Sequence, residues 1–107
     1  MEKRAFKRLP VNVPARLFYG NMVYTGIVVN LSENGMFVCT RMNYPVGVLI
    51  MMAIKSGDDT LKLPIKIRRT VKPEKDLLCL ENSGMGVEVL NPSREYKDFV
   101  SQTRASL

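Results

Sequence analysis

Apolar and polar residues alternate along much of this chain with a period of two, which is typical of β-strands. The clearest case is residues 61–67, where leucine or isoleucine occupies every odd position and Lys62, Pro64 and Lys66 stand between them. Such a segment buries one face and leaves a basic face exposed. Pro64 also places it near a sheet edge or at a bulge, because proline cannot donate to a ladder.

The same pattern, together with β-branched and aromatic residues, predicts five further strands separated by glycine- and asparagine-containing turns. Gly20-Asn21 and residues 55–60 are predicted hairpin turns, and Gly26 suggests a bulge or a tight bend within its strand. The six predicted strands cover residues 13–19, 22–29, 35–40, 48–54, 61–67 and 84–90.

The period changes after Pro92, where the pattern predicts one helix over about residues 92–105. Asn91 is a suitable cap and Pro92 suits a first helical turn. A helix that is apolar on one side needs a sheet or a barrel end to cover. The residues predicted to share that apolar face are Tyr96, Phe99, Val100, Thr103 and Leu107.

We therefore expect an all-β fold, a small antiparallel six-stranded β-barrel of split or Greek-key-like type, closed at one end by a C-terminal α-helix. With 107 residues there is room for one domain with one modest core. The expected division is a flexible basic arm over residues 1–10 and the barrel with its helix over residues 11–107.

The composition of the chain indicates the cellular compartment in which we expect the protein. No apolar run approaches the roughly 20 residues of a membrane span, and none of signal-peptide length follows the first residues, so we expect a cytoplasmic protein without membrane insertion. In that compartment a structural disulfide is not expected, and Cys39 and Cys79 are interpreted as small core residues.

Charge and chemistry favour binding over catalysis. The net charge of +6 with a pI near 9.6 favours an anionic partner. The chain has no histidine, the commonest general base, and its acidic residues form no recognisable catalytic pair. Two isolated thiols make a poor metal site. We expect neither an enzyme nor a metal or resident cofactor.

Two groups of residues carry the candidate binding chemistry. The basic arm holds Arg4 and Arg8, separated by three residues, before any strand begins. About twenty residues later comes the pattern Asn-x-Ser-x-x-Gly, formed by Asn30, Ser32 and Gly35 between two apolar runs. We expect a hairpin loop of five or six residues, with Gly35 at positive φ, whose polar groups either stabilise the turn or form the floor of a ligand site.

Arg-x-x-x-Arg followed by Asn-x-Ser-x-x-Gly, on an all-β chain of this size, resembles the PilZ domain, the bacterial receptor family for cyclic di-GMP. The resemblance covers essentially the whole chain, including Gly86-Val87-Glu88-Val89 at the family's late Gly-Val strand and the final helix. Asn30 stands where the commonest pattern has aspartate, a permitted alternative.

The resemblance implies that Arg4 and Arg8 bind the ligand, and arginine suits it because its guanidinium can fork onto a phosphate and lie against a base. Asn30 and Ser32 can hydrogen-bond a guanine edge, while Gly35 gives the base room to approach. A basic residue before the first motif arginine goes with two intercalated ligands in this family. Lys3 holds that position, so one or two ligands are expected, with a weak preference for two.

The implied mechanism is a receptor or adaptor in which the ligand orders the arm, and the altered surface signals to an unidentified partner protein in motility, biofilm or polysaccharide control. Two alternatives remain open. One is a PilZ-like adaptor that does not bind nucleotide. The other is a small barrel for single-stranded nucleic acid, suggested by Lys62, Lys66 and Arg68 but disfavoured because few aromatic residues remain for base stacking.

Overall fold

The computed structural model describes residues 9–40, 44–71 and 84–106. Six antiparallel strands form a closed barrel in the order β1-β2-β3-β6-β5-β4, followed by one helix. The predicted all-β barrel with a C-terminal helix is confirmed. The elements are β1 (Leu9–Tyr19), β2 (Met22–Leu31), β3 (Gly35–Cys39), β4 (Leu49–Ser56), β5 (Asp59–Val71), β6 (Gly84–Val89) and α1 (Arg94–Ser106).

The two strands that flank the candidate loop are longer than the apolar pattern predicts. β1 begins at Leu9 instead of residue 13, and its first residues pair with the end of β2, Leu9 with Leu31 and Pro10 with Asn30. β2 accordingly continues to Leu31. The polar residues and prolines in these segments interrupt the apolar alternation, so the sequence pattern does not indicate the strands. The strands nevertheless form, because their pairing depends on backbone hydrogen bonds. The division into an arm over residues 1–10 and a barrel remains a prediction, since residues 1–8 lie outside the described residues.

The residues that are buried in the barrel core confirm the predicted alternation of inward and outward side chains. Leu63, Ile65 and Ile67 of β5 are buried, as are Met36 and Val38 of β3. The prediction that Pro64 lies at a sheet edge or at a bulge is wrong, because it pairs with Met51 of β4 in unbroken register within a closed barrel. On its other side it lies one residue before the β5–β6 ladder, which begins at Ile65, and its carbonyl accepts a hydrogen bond from the Leu90 amide at 2.9 Å.

Two local predictions fail at glycine. Gly26 pairs with Ala15 in unbroken register, so no bulge lies there. A Cβ at Gly26 would instead come within 2.9 Å of the Cys39 carbonyl oxygen, so the glycine permits a close backbone approach. Gly35 is the first residue of β3 and is not among the residues with positive φ; among glycines these are Gly20, Gly47 and Gly57.

The helix begins two residues later than predicted, and its cap is different. Asn91 has a φ of 46°, a left-handed conformation. Ser93 is the cap, because its Oγ accepts a hydrogen bond from the Tyr96 amide at 3.1 Å. Tyr96 and Val100 are buried in the core cluster and Phe99 packs against it, as the helical spacing predicts.

Cys39 is disulfide-bonded, with a partner outside the described residues. The prediction of a reduced thiol is therefore wrong. That prediction used only the expected redox environment, which carries no information about which side chains the fold brings together. The burial of Cys39 agrees with its predicted place in the packed interior.

In the described part of the chain, helix α1 is too short and too polar to cross a membrane. The same residues contain no group of three or more potential metal ligands.

Candidate functional site

The loop that carries the sequence motif is shorter than predicted and is tightly hydrogen-bonded. β2 ends at Leu31 and β3 begins at Gly35, which leaves only residues 32–34 between them. The Ser32 amide donates to the Gly35 carbonyl at 2.8 Å, and the Asn34 amide donates to Ser32 Oγ at 3.3 Å. Ser32 is buried and therefore stabilises the turn through both its backbone and its side chain.

Two other elements hold this loop from outside. The Val89 amide at the end of β6 donates to the Asn34 carbonyl at 2.9 Å. The Tyr96 hydroxyl of α1 donates to the Ser32 carbonyl at 2.5 Å. Because these bonds come from a strand and a helix far away in sequence, the loop is positioned by the whole barrel and not by its own turn alone.

Asn30 reaches the outer face of the barrel because of a bulge in β2. Val28 pairs with Val38, but the next pair in the ladder joins Asn30 to Phe37, so Val29 is an extra residue. Val28 points inward and is fully buried. Strict alternation would turn Asn30 inward as well. The extra residue turns its side chain outward instead, as bulges near functional sites often do.

A second bulge lies in β5, opposite Gly86. Ile67 pairs with Val87 and Arg69 pairs with Gly86, so Arg68 is the extra residue. Ile67 and Val87 are buried, whereas Arg68 and Arg69 are both exposed. The bulge therefore presents two consecutive arginines on the outer surface.

The two bulges align one row of residues across four neighbouring strands. Asn30 pairs with Phe37, Phe37 with Gly86, and Gly86 with Arg69. Strand spacing of about 4.8 Å puts the two ends of the row roughly 15 Å apart. Between them, Gly86 has no side chain, so the row has a low point next to Arg69.

A depression of about 320 Å³ lies beside this row. One of its walls is the motif loop and the other consists of β5 and β6. Its described lining residues are Ser32, Asn34, Gly35, Arg68, Arg69, Gly86, Val87 and Glu88.

The charges at this site are mainly positive. Arg68 lies 3.5 Å from Glu88, but both side chains are about half exposed, so the pair is worth little. Arg69 makes no ion pair with any residue in the described ranges. Its side chain lies over Gly86, since a Cβ placed there would meet Arg69 Nε at 3.1 Å. Amide, hydroxyl and guanidinium groups in this arrangement can bind a planar, hydrogen-bonding, anionic molecule.

A larger depression, of about 720 Å³, lies elsewhere and includes Arg16, Thr25, Ala53 and Lys55. None of Asn30, Ser32 and Gly35 lines it. We place the candidate site at the smaller depression, because the hydrogen-bonded motif loop forms its wall.

The structure therefore brings together Asn30, Ser32 and Gly35 at the junction of β2 and β3. Lys3, Arg4 and Arg8 lie outside the described residues. The sequence missed Arg69 and Gly86, because the register shift that aligns them with Asn30 leaves no mark in the apolar pattern. The only signal was two adjacent arginines where alternation expects one outward residue.

Comparison with known proteins identifies the fold family. The family model for the PilZ domain matches residues 2–102. No curated protein sequence matches the chain significantly.

Three solved structures have the same fold at 12–13% sequence identity. The PilZ domain of Escherichia coli YcgR with c-di-GMP has a TM-score of 0.77 at 13% identity, over 99% of this chain and 92% of that one. The Bacillus subtilis inhibitor of motility MotI/DgrA has a TM-score of 0.79 at 12% identity, over 99% of this chain and 52% of that one.

YcgR of E. coli in complex with c-di-GMP has a TM-score of 0.78 at 12% identity, over 98% of this chain and 46% of that one. The chain thus spans about half the length of the MotI chain and of this YcgR chain. A family match over residues 2–102, joined to a closed six-stranded barrel with a C-terminal helix, means that this chain belongs to the PilZ domain family.

Proposed function

We propose that this protein is a receptor for cyclic di-GMP and that it binds the ligand between its basic arm and the outer face of the barrel beside Asn30 and Ser32. The observation that carries the proposal is the start of β1. Leu9 directly follows Arg8 and pairs with Leu31, the residue before Ser32. The residue to which the arm is joined therefore lies at the same end of the barrel as the motif loop.

The chemistry of the two parts is complementary. Arg4 and Arg8 supply guanidinium groups for the phosphates and for stacking on guanine. The outward Asn30 side chain can hydrogen-bond a guanine edge, whereas Ser32 also stabilises the loop. Membership of the PilZ family and the E. coli YcgR domain with c-di-GMP support the same ligand.

Binding is proposed to act as a switch. Four positive charges lie within residues 3–8, and they repel one another until the ligand's phosphates neutralise them. The charge-assisted hydrogen bonds must exceed the entropic cost of ordering the arm. The new surface then recruits a downstream protein, in the cytoplasm of a bacterial cell. The function is thus regulatory binding and not catalysis.

Isothermal titration with cyclic di-GMP at moderate salt tests the proposal, with GTP as the control ligand. We expect saturable binding of cyclic di-GMP alone, and loss of binding in Arg4→Ala and Arg8→Ala. Arg104→Ala is the matched control, because it removes one exposed arginine from the last turn of α1. Absence of binding by a folded wild-type sample would overturn the proposal.

Amide hydrogen exchange tests the switch separately. Residues 1–10 should become protected when cyclic di-GMP saturates the protein. If exchange in this segment is unchanged in a sample that binds cyclic di-GMP, the receptor function stands, but the proposal that binding orders the arm is wrong.

One observation favours the second candidate, an adaptor that acts by protein contact alone. Val23, Phe18 and Met51 form a continuous row across β2, β1 and β4, and Val23 and Met51 are 52% and 42% exposed. Exposed contiguous apolar surface is typical of interaction sites. If cyclic di-GMP does not bind, this row is the surface to alter first, with Val23→Ser and Met51→Ser.

A further inference from the structure

We propose that the barrel wall formed by β1 and β4 is a docking surface for an acidic amphipathic helix of a partner protein. The candidate ligand site lies on the other side of the barrel. In the closed order of six strands, the seam between β1 and β4 is directly opposite the seam between β3 and β6. The inference goes beyond the proposed function, because docking at this wall does not require cyclic di-GMP.

The centre of the docking surface is an apolar row that crosses four strands. Val23 pairs with Phe18, Phe18 with Met51, and Met51 with Pro64. Met51 and Pro64 each stand between two buried residues of their own strand, so their exposed side chains point outward. Three strand spacings of about 4.8 Å make the apolar row roughly 14 Å long. Leu49, two residues before Met51 and 63% exposed, widens it.

Basic residues lie on both sides of the apolar row. On one side Arg16 and Lys62 both pair with Ala53, which forms a second, parallel row. On the other side Lys66 pairs with Leu49. Each of these cations is two residues along a strand from the apolar row, a distance of about 7 Å. Within the described ranges none of the three makes an ion pair, and neither row contains an acidic residue.

The depression of about 720 Å³ adjoins the apolar row on the side of the parallel row. Arg16 and Ala53 line it, and Lys55 supplies a second cation. None of its described lining residues is acidic. The depression therefore provides space and positive charge for a carboxylate side chain next to the apolar row.

The dimensions of this surface favour a helix over a membrane. A helix with its side chains is about 10–12 Å wide and rises 1.5 Å per residue, so roughly ten residues span the apolar row. Its apolar side covers the row, and carboxylates on its two flanks reach the cations on either side. A bilayer instead takes up protruding apolar side chains, whereas Phe18 is only partly exposed within a strand.

The charge of the chain argues against a second copy as the occupant. A two-fold dimer places the same surface on both sides of its interface. Two copies joined through this wall would bring Arg16, Lys62 and Lys66 of each chain together, and each chain carries a net charge of +6. An acidic helix neutralises these cations instead.

Fluorescence anisotropy with a labelled synthetic peptide tests the proposal. The probe is a helical peptide of roughly 15 residues, with leucine at positions i, i+3, i+4 and i+7 and glutamate on both flanks. We expect saturable binding to the wild-type protein, equal with and without cyclic di-GMP, that weakens as salt is added. A peptide with lysine in place of every glutamate should not bind. Absence of binding by the acidic peptide would overturn the proposal.

Variants of the apolar row locate the binding surface. In the double variant Val23→Ser with Met51→Ser, Kd for the acidic peptide should rise roughly tenfold or more, as expected for residues at the centre of an interface. Val46→Ser and Lys97→Glu are the matched controls, because both change exposed residues outside the two rows. They should stay within about twofold of the wild type. Equal Kd values in the double variant and the wild type would overturn the proposal.

Charge reversal gives a test that a misfolded variant cannot pass. The double variant Arg16→Glu with Lys62→Glu should lose the acidic peptide and gain binding of the lysine peptide. Failure of this variant to change the preference between the two peptides would overturn the role of the cations. Calorimetry with cyclic di-GMP should give the wild-type result in every variant of this wall, so the docking surface and the proposed receptor function fail or stand separately.

Two measurements examine the other occupants. Cosedimentation with vesicles of phosphatidylcholine and phosphatidylserine should show no binding that depends on Val23 and Met51. Sedimentation equilibrium should show a monomer whose mass does not change in the double variant. Vesicle binding lost in that variant would assign the surface to a membrane, and a dimer lost in that variant would assign it to a second copy. Either result would overturn the proposal.

Discussion

The Tyr96 hydroxyl donates a hydrogen bond of 2.5 Å to the backbone carbonyl of Ser32, joining the C-terminal helix to the motif loop. Tyr96 is fully buried, and the two residues are 64 positions apart in sequence. Through this bond and the Val89 amide, the loop position depends on α1 and β6. The helix thus covers the barrel and also fixes one side of the candidate site.

Replacing Tyr96 by phenylalanine should lower both the stability of the protein and the affinity of the candidate site for its ligand. The Ser32 carbonyl would lose its buried donor, at a cost of about 1–3 kcal/mol in the free energy of unfolding. The loop would lose its support from the helix, and we expect weaker binding of cyclic di-GMP. Urea denaturation and calorimetry measure the two effects. Tyr19→Phe, at an exposed tyrosine, is the control and should change neither.

Lys3 should set the number of ligands bound. If a basic residue at this position supports an intercalated pair, Lys3→Ala should bind one cyclic di-GMP per chain and Lys3→Arg should bind two. The stoichiometry of a calorimetric titration gives the answer directly. Lys97→Ala, an exposed lysine on α1, is the control. The same stoichiometry in Lys3→Ala and Lys3→Arg would contradict this prediction.

Gly26→Ala should destabilise the barrel without involving the ligand site. The new Cβ would lie 2.9 Å from the Cys39 carbonyl oxygen and 3.0 Å from Val38 Cγ1, so backbone must move. We expect a loss of about 1–3 kcal/mol, typical of overpacking, in urea denaturation. Gly86→Ala is the matched control, because its new methyl group meets only the flexible side chain of Arg69. Equal losses of stability in both variants would contradict the prediction.

Tyr44 should make stability fall at high pH. Burial, followed by the charges of Tyr24 and Tyr19, raises the pKa of Tyr44 from 10.0 to about 12. Between these values the unfolded chain loses the phenol proton while the folded protein keeps it. The unfolded state therefore binds fewer protons, and stability decreases as pH rises above 10.

Comparison with Tyr44→Phe isolates this effect. The Tyr44 hydroxyl is buried without a hydrogen-bond partner in the described ranges, so its removal should leave stability at neutral pH equal or slightly higher. Urea midpoints from about pH 8 to pH 11.5 should then fall less steeply in the variant. If the urea midpoints of the wild type and of Tyr44→Phe fall equally with pH, the loss of stability comes from another titrating group and the prediction is wrong.

The sequence by itself determined the strand content, the buried face of β5, the final helix and the turn that follows Asn30 and contains Ser32. These features depend on local periodicity and turn chemistry, which the order of residues contains directly. The family resemblance rested on such local motifs and was confirmed by the family match over residues 2–102. The predicted loop length and the predicted positive φ of Gly35 were wrong, because polar residues can continue a strand when a neighbouring strand provides the backbone hydrogen bonds.

Only the tertiary structure decided the cap at Ser93, the disulfide at Cys39 and the bond between Tyr96 and Ser32. It also decided the row from Asn30 to Arg69, which depends on one extra residue in each of two strands. A bulge changes the facing of a side chain by altering hydrogen-bond register between strands that are distant in sequence. Pairing of that kind is a property of the closed barrel, and neither strand alone specifies it.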